Sequence, residues 1–185
     1  MSECGDNRTF DTVIQNDFAS SPPMNIQAAC ASDASIVVSV LQEAARWLAA
    51  DGRALWSAEE IGSERVAKEV DAGVFHIARE GGLIVGVMKF ELEDAHFWPE
   101  VLPGTSAYVH KLAVRRAWAK KGVSWRLLSY ARNRAQHLGR ARLRLDCVAD
   151  RQGLRNLYED FGFALHSVVQ IGSSSYARYE LSTAT

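Results

Sequence analysis

The chain has 185 residues, of which 48% are hydrophobic and 23% are charged, and its formal net charge is −1 at pH 7. This length and composition describe one globular domain with a sizeable buried core, and the near-neutral charge does not favour a nucleic-acid binder. No apolar run is long enough to span a bilayer, and the N-terminus lacks a basic segment followed by an apolar one. We therefore expect a cytoplasmic protein with no membrane partner.

Hydrophobic periodicity and turn residues divide the chain into an extension and a domain. Residues 1–23 are polar and weakly periodic, so we interpret them as an N-terminal extension before a domain over 24–185. The predicted elements of that domain are, in chain order, a strand over 24–29, a helix between Ser32 and Gly52, a helix over 58–70, strands over 74–79, 83–93 and 107–114, a helix over 122–138, a strand over 142–148, a helix over 153–161, and strands over 163–170 and 176–181. This order predicts an α+β fold, a mixed sheet of about seven strands with helices on both faces.

Charge is distributed unevenly along the domain. The segment from Lys111 to Arg155 contains 13 Lys or Arg and two acids, whereas the remaining residues carry 8 basic and 20 acidic side chains. One part of the domain should therefore attract a polyanion and the other a cation.

A basic glycine turn between a strand and a helix is the most informative local feature. The strand residues Leu112 and Val114 lead into a loop with four Lys or Arg, which ends at Gly122-Val123-Ser124 where helical periodicity begins. The first N–H groups of a helix lack partners and its dipole is positive there, so such a turn predicts a phosphate or pyrophosphate site.

Two motifs in this order resemble the GNAT superfamily of N-acetyltransferases. The family signature is Gln or Arg, two free positions, Gly, one free position, then Gly or Ala. Residues 119–124 read AKKGVS, with Ala119 in place of Gln or Arg and Ser124 in place of the last Gly or Ala. Downstream, residues 156–163 read NLYEDFGF and are similar to the family's helix with a Tyr four residues before Gly-Phe. The resemblance covers about 24 to the C-terminus.

This resemblance implies a fold, a cofactor and a binding site. The sheet would be mostly antiparallel, and acetyl-coenzyme A would lie in a cleft between two central strands, 107–114 and 142–148. The expected cofactor-binding residues are Leu112, Ala113, Val114, Ala119, Lys120, Lys121, Gly122, Val123, Ser124, Arg151, Leu154 and Tyr158. The three cysteines show no metal-ligand spacing, so no metal site is predicted.

The resemblance also implies a reaction, transfer of an acetyl group from acetyl-coenzyme A to a primary amine by direct attack in a ternary complex. Tyr158 would protonate the departing thiolate, since a phenol with a pKa near 10 is neutral at pH 7. Glu91, with Glu93 and Asp94, is predicted to attract a protonated amine, and His110 is a candidate base. The structural alternatives are a core aromatic for Tyr158, a solvated strand end for the three acids and a packed, hydrogen-bonded residue for His110.

The acceptor is expected to be a cationic small-molecule or peptide amine. Trp47, Trp56 and Trp98 flank helix ends and a loop, so one or two of them are candidates for lining its pocket, although most tryptophans belong to the core.

Two other functions stay open at this point. One is nucleic-acid binding through the Arg-rich stretch 126–144, which lacks a helix-turn-helix or an aromatic strand platform. The other is a non-catalytic acyl-coenzyme A sensor, because Ala119 departs from the motif. We expect no nucleic-acid partner, and a homodimer is left open.

Overall fold

The computed structural model describes residues 24–184, so the predicted extension over 1–23 lies outside the described residues. The helices of this part are α1 (Ala34–Ala50), α2 (Ser63–Asp71), α3 (Val123–His137) and α4 (Gln152–Phe161). The strands are β1 (Asn25–Ala28), β2 (Phe75–Glu80), β3 (Leu83–Glu91), β4 (Ser106–Val114), β5 (Arg142–Val148), β6 (Ala164–Ile171) and β7 (Ser174–Ser182). Every predicted strand and helix is present between these residues, and the boundaries differ from the predicted ones by a few residues.

The seven strands form a single sheet in the order β1-β2-β3-β4-β5-β7-β6. All neighbouring pairs are antiparallel except β4 and β5, which are parallel. The exception follows from connectivity, because α3 carries the chain back between β4 and β5 and a parallel pair needs such a crossover. The predicted α+β fold with a mixed, mostly antiparallel sheet is confirmed.

Strand alternation directs apolar side chains to two separate cores. On β2, Phe75 and Ile77 pack in the core beneath α1 and α2, whereas Ala78 packs in the core beneath α3 and α4. A Cβ built on Gly86 of β3 would lie 2.7 Å from Cγ1 of Val123. The absence of a side chain at Gly86 therefore lets the first turn of α3 approach the sheet closely.

The second helix starts later than its sequence pattern predicts. Residues 58–62 form turns, and α2 begins at Ser63 after Gly62 in an extended conformation. The side chains of Ser57 and Glu60 each accept the backbone N–H of the other, at 3.2 and 2.8 Å. This reciprocal pair resembles a capping box, but here it closes a turn instead of a helix.

Candidate active site

A cleft opens where the two central strands diverge. The registered pairs between β4 and β5 end at Val109 and Leu145, although β4 continues to Val114 and β5 to Val148. β5 remains paired with β7 through Val148, and β4 remains paired with β3 at Val114. The strands therefore separate from each other without leaving the sheet, and the β4 backbone beyond Val109 is available to an added strand-like group.

A β-bulge accompanies this separation. The register between β3 and β4 shifts between Val87 and Lys89, so that Lys111 and Leu112 together lie opposite one β3 residue. Lys111 has a φ of 48°, in the left-handed region that non-glycine residues rarely adopt. Bulges of this kind re-aim side chains and backbone groups, often beside active sites. The predicted residues Leu112, Ala113 and Val114 follow the bulge, in the part of β4 that has no registered pairs with β5.

The N-terminus of α3 has the geometry of an anion site. Gly122 precedes the helix with a φ of 78°, and no side chain caps the first turn. The first helical bond to this end runs from the N–H of Arg126 to the carbonyl of Gly122. The N–H groups of Val123, Ser124 and Trp125 therefore precede the helical hydrogen-bond pattern, as an anion-binding turn requires.

The four basic residues of the preceding loop divide into two pairs. Arg115 binds inward, donating to the Glu43 carboxylate at 2.7 Å and to the Ile84 carbonyl at 2.9 Å. Arg116 stacks on Trp47, with its guanidinium carbon 4.9 Å from the ring centroid. Lys120 and Lys121 are exposed. The loop is thus anchored to α1 by its arginines and presents its lysines to solvent beside Gly122, next to exposed Ala119.

Arg151 and Leu154 stand at the other wall of the cleft. Arg151 follows β5 at the start of α4 and donates to the Ala54 carbonyl at 3.1 Å, while Leu154 is half-buried in the α3–α4 core. The Arg151 side chain therefore links the β5–α4 junction to the loop after α1.

Tyr158 is buried within α4, with 6% of its surface exposed. Its ring lies 6.0 Å from that of Tyr179 and 6.1 Å from that of Phe163. Burial raises the pKa of Tyr158 far above its ordinary value, and the nearby Cys147 and Asp146 of β5 add to the effect. The position of Tyr158 is compatible with both interpretations. Its ring belongs to the core, as a core aromatic requires, and it lies near Cys147 and Asp146 of β5, one of the two strands that border the cleft.

His110 is surrounded by carboxylates. Its Nε2 lies 3.4 Å from Asp94 and 3.8 Å from Glu91, and its Nδ1 lies 3.5 Å from Asp146. Burial alone would lower the pKa of His110, but Asp146 and then Asp94 outweigh it and raise the pKa to about 9. Glu91, Asp94, His110 and Asp146 are called the His110 cluster below.

The geometry of the His110 cluster favours a protonated imidazole. Its Asp94, His110 and Asp146 ligand atoms lie within 4.8 Å of one another, a spacing that a cation also tolerates. However, both imidazole nitrogens already face carboxylates, so neither lone pair is directed at a shared ion. We therefore interpret the cluster as an imidazolium held by acids.

The sequence pattern identified Glu91 and Asp94 but missed Asp146. Glu91 lies 3.0 Å from Lys89 and on the same side of the sheet as His110. The neighbouring acids are used differently: Glu93 accepts the N–H of Gly104 at 3.2 Å, and Glu100 pairs with Arg178 at 2.8 Å. Asp146 faces away from the apolar side of β5, and the parallel register that sets Val109 against Leu145 brings it beside His110.

The three tryptophans occupy unlike environments. Trp98 is buried between two guanidinium groups, those of Arg144 at 4.6 Å and Arg178 at 4.5 Å from its ring centroid. Trp47 lies beneath Arg116. Trp56 lines a cavity of about 350 Å³ between α1 and the loop after it, together with Ala54. Trp56 thus borders open space, whereas Trp98 closes the loop after β3 onto the sheet.

Comparison with known proteins agrees with this geometry. Residues 41–163 match the sequence model of the Acetyltransferase (GNAT) family. The chain is 30% identical over 137 residues to the uncharacterized N-acetyltransferase YesJ of Bacillus subtilis (strain 168), covering 71% of this chain and 76% of that protein.

Two solved structures share the fold at low identity. One is a GNAT-family acetyltransferase from Listeria monocytogenes 4b F2365, with a TM-score of 0.71, 17% identity, and coverage of 86% of this chain and 94% of that chain. The other is the PaiA N-acetyltransferase from Thermoplasma acidophilum in complex with coenzyme A, with a TM-score of 0.68, 16% identity, and coverage of 85% and 98%. Within residues 24–184, no helix is long and apolar enough to cross a membrane.

Proposed function

This chain belongs to the GNAT family of acetyltransferases and is an acyltransferase that uses acetyl-coenzyme A as its donor, and we propose that its acceptor is a cationic primary amine bound beside the His110 cluster. The observation that carries the proposal is the position of that cluster, where β4 and β5 diverge. The acceptor would be a small molecule or a peptide in the cytoplasm.

The donor fits the residues at the cleft and the α3 N-terminus. Acetyl-coenzyme A supplies the thioester acyl group. Gly122 and the N–H groups that follow it would bind the pyrophosphate, assisted by the exposed Lys120 and Lys121. The β4 backbone near Leu112 and Val114 would pair with the pantetheine amides, as an added strand does. A backbone N–H after the bulge would stabilise negative charge on the acyl oxygen.

The charge of the acceptor follows from the ions around His110. The acids are Glu91, Asp94 and Asp146, and the cations are protonated His110 and Lys89, whose Nζ is 3.0 Å from Glu91. Because Lys89 is also bonded to Glu69 at 3.0 Å, the three carboxylates face one imidazolium and one shared ammonium, which leaves the cluster with net negative charge. An ammonium group would neutralise it, whereas an anionic acceptor would add to it.

His110 can accept the amine's proton only in its neutral form. With a pKa of about 9, roughly 1% of His110 is neutral at pH 7. We propose that turnover rises with pH until His110 and the amine are deprotonated, with Glu91 holding the amine in place. Tyr158 keeps its proton throughout this range. Burial makes Tyr158 a weaker acid, but the same burial would raise the proton affinity of a thiolate formed beside it, so the two effects offset each other in the transfer of the phenolic proton to sulfur.

The proposal is tested by thiol release from acetyl-coenzyme A over a panel of cationic, neutral and anionic amines. Turnover should be restricted to cationic acceptors and should fall by roughly 10² or more in His110→Gln. The control is His137→Gln, an exposed histidine at the end of α3. A preference for anionic amines, or full activity in His110→Gln, would refute the assignment.

The proposed role of Glu91 can be tested against a matched control, Glu93, which lies two residues further along the chain. Glu91→Gln should raise KM for the amine more than KM for acetyl-coenzyme A, because it removes charge from the His110 cluster. Glu93→Gln should leave both constants near the wild-type values, since Glu93 binds the Gly104 backbone instead. Equal effects of the two substitutions would show that overall acidity matters and the cluster does not.

The alternative functions receive less support from the described residues. Arg134 stacks on Phe90 beneath α3, whereas Arg144 pairs with Glu180 and stacks on Trp98 on the opposite face. The Arg-rich stretch 126–144 therefore does not form one phosphate-tracking surface. An acyl-coenzyme A sensor would bind the donor without turnover over the whole amine panel.

A further inference from the structure

Lys111 combines an unusual backbone conformation with a buried ammonium group. It is the left-handed residue of the β4 bulge, directly after His110, and its side chain is 8% exposed. Its Nζ donates to the Glu60 carbonyl at 2.6 Å and lies 3.6 Å from Oε2 of Glu69. The bulge of the candidate catalytic strand is therefore tied to α2 and to the turn before it.

A series of ion pairs connects Lys111 to His110 through Glu69, Lys89 and Glu91. Glu69 Oε1 accepts from Lys89 at 3.0 Å, and Lys89 Nζ lies equally close, at 3.0 Å, to Glu91 Oε1. Glu91 in turn lies 3.8 Å from Nε2 of His110. The Glu69 and Lys89 side chains are 14% and 13% exposed, so solvent screens these charges weakly. Lys89 is thus shared between one acid of α2 and one acid of the His110 cluster.

We propose that Lys111 is a positioning residue for acetyl transfer, acting through Glu69 and Lys89 to set how much of the Glu91 charge remains for His110 and the incoming amine. This inference rests on the proposed function for its consequence in catalysis. Glu69 is balanced by Lys111, whose side chain is 8% exposed, and by Arg65, whose Nε lies 3.4 Å away but whose side chain is 51% exposed and therefore more strongly screened by solvent. Without Lys111, Glu69 draws Lys89 away from Glu91, and Glu91 then stabilises the His110 imidazolium more strongly.

The other groups around His110 are not altered by a substitution at Lys111 or Glu69. They are Asp94, His96 and Phe97 of the loop after β3, Asp146 of β5, Tyr176 of β7 beside Phe97, and Tyr158 of α4 near Asp146. Within the described part of the chain, none of these groups forms a hydrogen bond or ion pair with Lys111 or Glu69, so changes at those two positions reach His110 through Lys89 and Glu91.

The test is an NMR titration of the histidine rings in four proteins: wild type, Lys111→Met, Glu69→Gln, and the double variant. The His110 signal is assigned by its loss in His110→Gln. We expect the His110 pKa to rise by about 0.5 in Lys111→Met, to fall by about 0.5 in Glu69→Gln, and to return to the wild-type value in the double variant. Lys111→Arg, which keeps the charge, should match the wild type.

Opposite shifts that cancel cannot arise from loss of stability alone. His76 reports folding in the same spectra, because its pKa of about 4 depends on burial. Shifts in the same direction, or an unchanged His110 pKa in all variants with His76 still buried, would overturn the inference. The titration needs no turnover, so it stands or fails separately from the proposed function. If both hold, kcat/KM at neutral pH should fall about threefold in Lys111→Met and converge with wild type at high pH.

Discussion

Tyr158 illustrates how one residue serves the core and a proposed reaction at once. Its ring packs among Phe163 and Tyr179, and its phenol keeps its proton because burial raises its pKa. Removing the hydroxyl in Tyr158→Phe preserves the packed ring. We predict that kcat falls by roughly 10² or more while the Kd for acetyl-coenzyme A, measured by calorimetry, stays near the wild-type value.

Tyr130→Phe is the control for this substitution, because it removes the same group from a partly buried tyrosine on α3. Its kcat should stay near that of the wild type. Unchanged kcat in Tyr158→Phe would return Tyr158 to a purely structural role, and lost affinity with retained kcat would make it a binding residue.

At the scale of elements, the start of α3 determines whether a pyrophosphate can bind. Asn and Asp both tolerate the left-handed conformation that Gly122 adopts, and they differ by one negative charge. No atom lies within 4 Å of a Cβ at Gly122, so either side chain has room. We predict that Gly122→Asp raises the Kd for acetyl-coenzyme A at least tenfold more than Gly122→Asn, measured by calorimetry. Equal Kd values would place the phosphates elsewhere.

The contact between β3 and α3 offers a second test at this scale. In Gly86→Ala the new methyl group would press on Val123, Leu127 and the Ala113 carbonyl. We predict a loss of about 1–3 kcal/mol in the free energy of unfolding, measured in urea, and weaker acetyl-coenzyme A binding as α3 moves outward. Gly153 is an exposed residue of α4, and a Cβ there meets no atom within 4 Å, so Gly153→Ala should be neutral or slightly stabilising. An unchanged free energy of unfolding in Gly86→Ala would mean that α3 can move away from β3 with little loss of stability.

At the scale of the whole molecule, two histidines with opposite pKa shifts, His76 and His110, reduce stability at low and at high pH respectively. Burial and then Arg134 lower the pKa of His76 to about 4, so between pH 6.5 and 4 the unfolded chain binds more protons and stability falls as pH falls. His110 has the reverse shift, to about 9. Its stabilisation is complete below pH 6.5 and is lost as pH rises through 9.

We therefore predict that the free energy of unfolding is greatest near pH 6.5. The decrease on the acid side and the decrease on the alkaline side should each be reduced by a different substitution. His76→Leu should remove about 2–3 kcal/mol of the decline between pH 6.5 and 4.5. Asp146→Asn should reduce the decline between pH 7 and 10, because it removes the partner that most raises the His110 pKa. Urea titrations across this range measure both. If the free energy of unfolding decreases as steeply in a variant as in the wild type, the histidine is not the cause of the decrease on that side.

Local physics accounts for what could be predicted from the amino-acid order. The 3.6-residue and two-residue periodicities, with Gly at the turns, predicted the strands and helices, and consecutive residues such as Gly122 to Ser124 carried the family resemblance. These signals lie within short windows of the chain, where spacing alone constrains geometry. The late start of α2 was missed because Ser57 and Glu60 use capping chemistry to close a turn.

Tertiary structure decided the protonation and the partners of the site. His110 and Asp146 are 36 residues apart in the chain, and Lys111 and Glu60 are 51 apart, yet they meet across strands and helices. A pKa depends on distances through space and on burial, neither of which the order of residues expresses. The sequence by itself determined the family and the elements, whereas the parallel register of β4 and β5 and the bulge at Lys111 placed His110 among acids that raise its pKa.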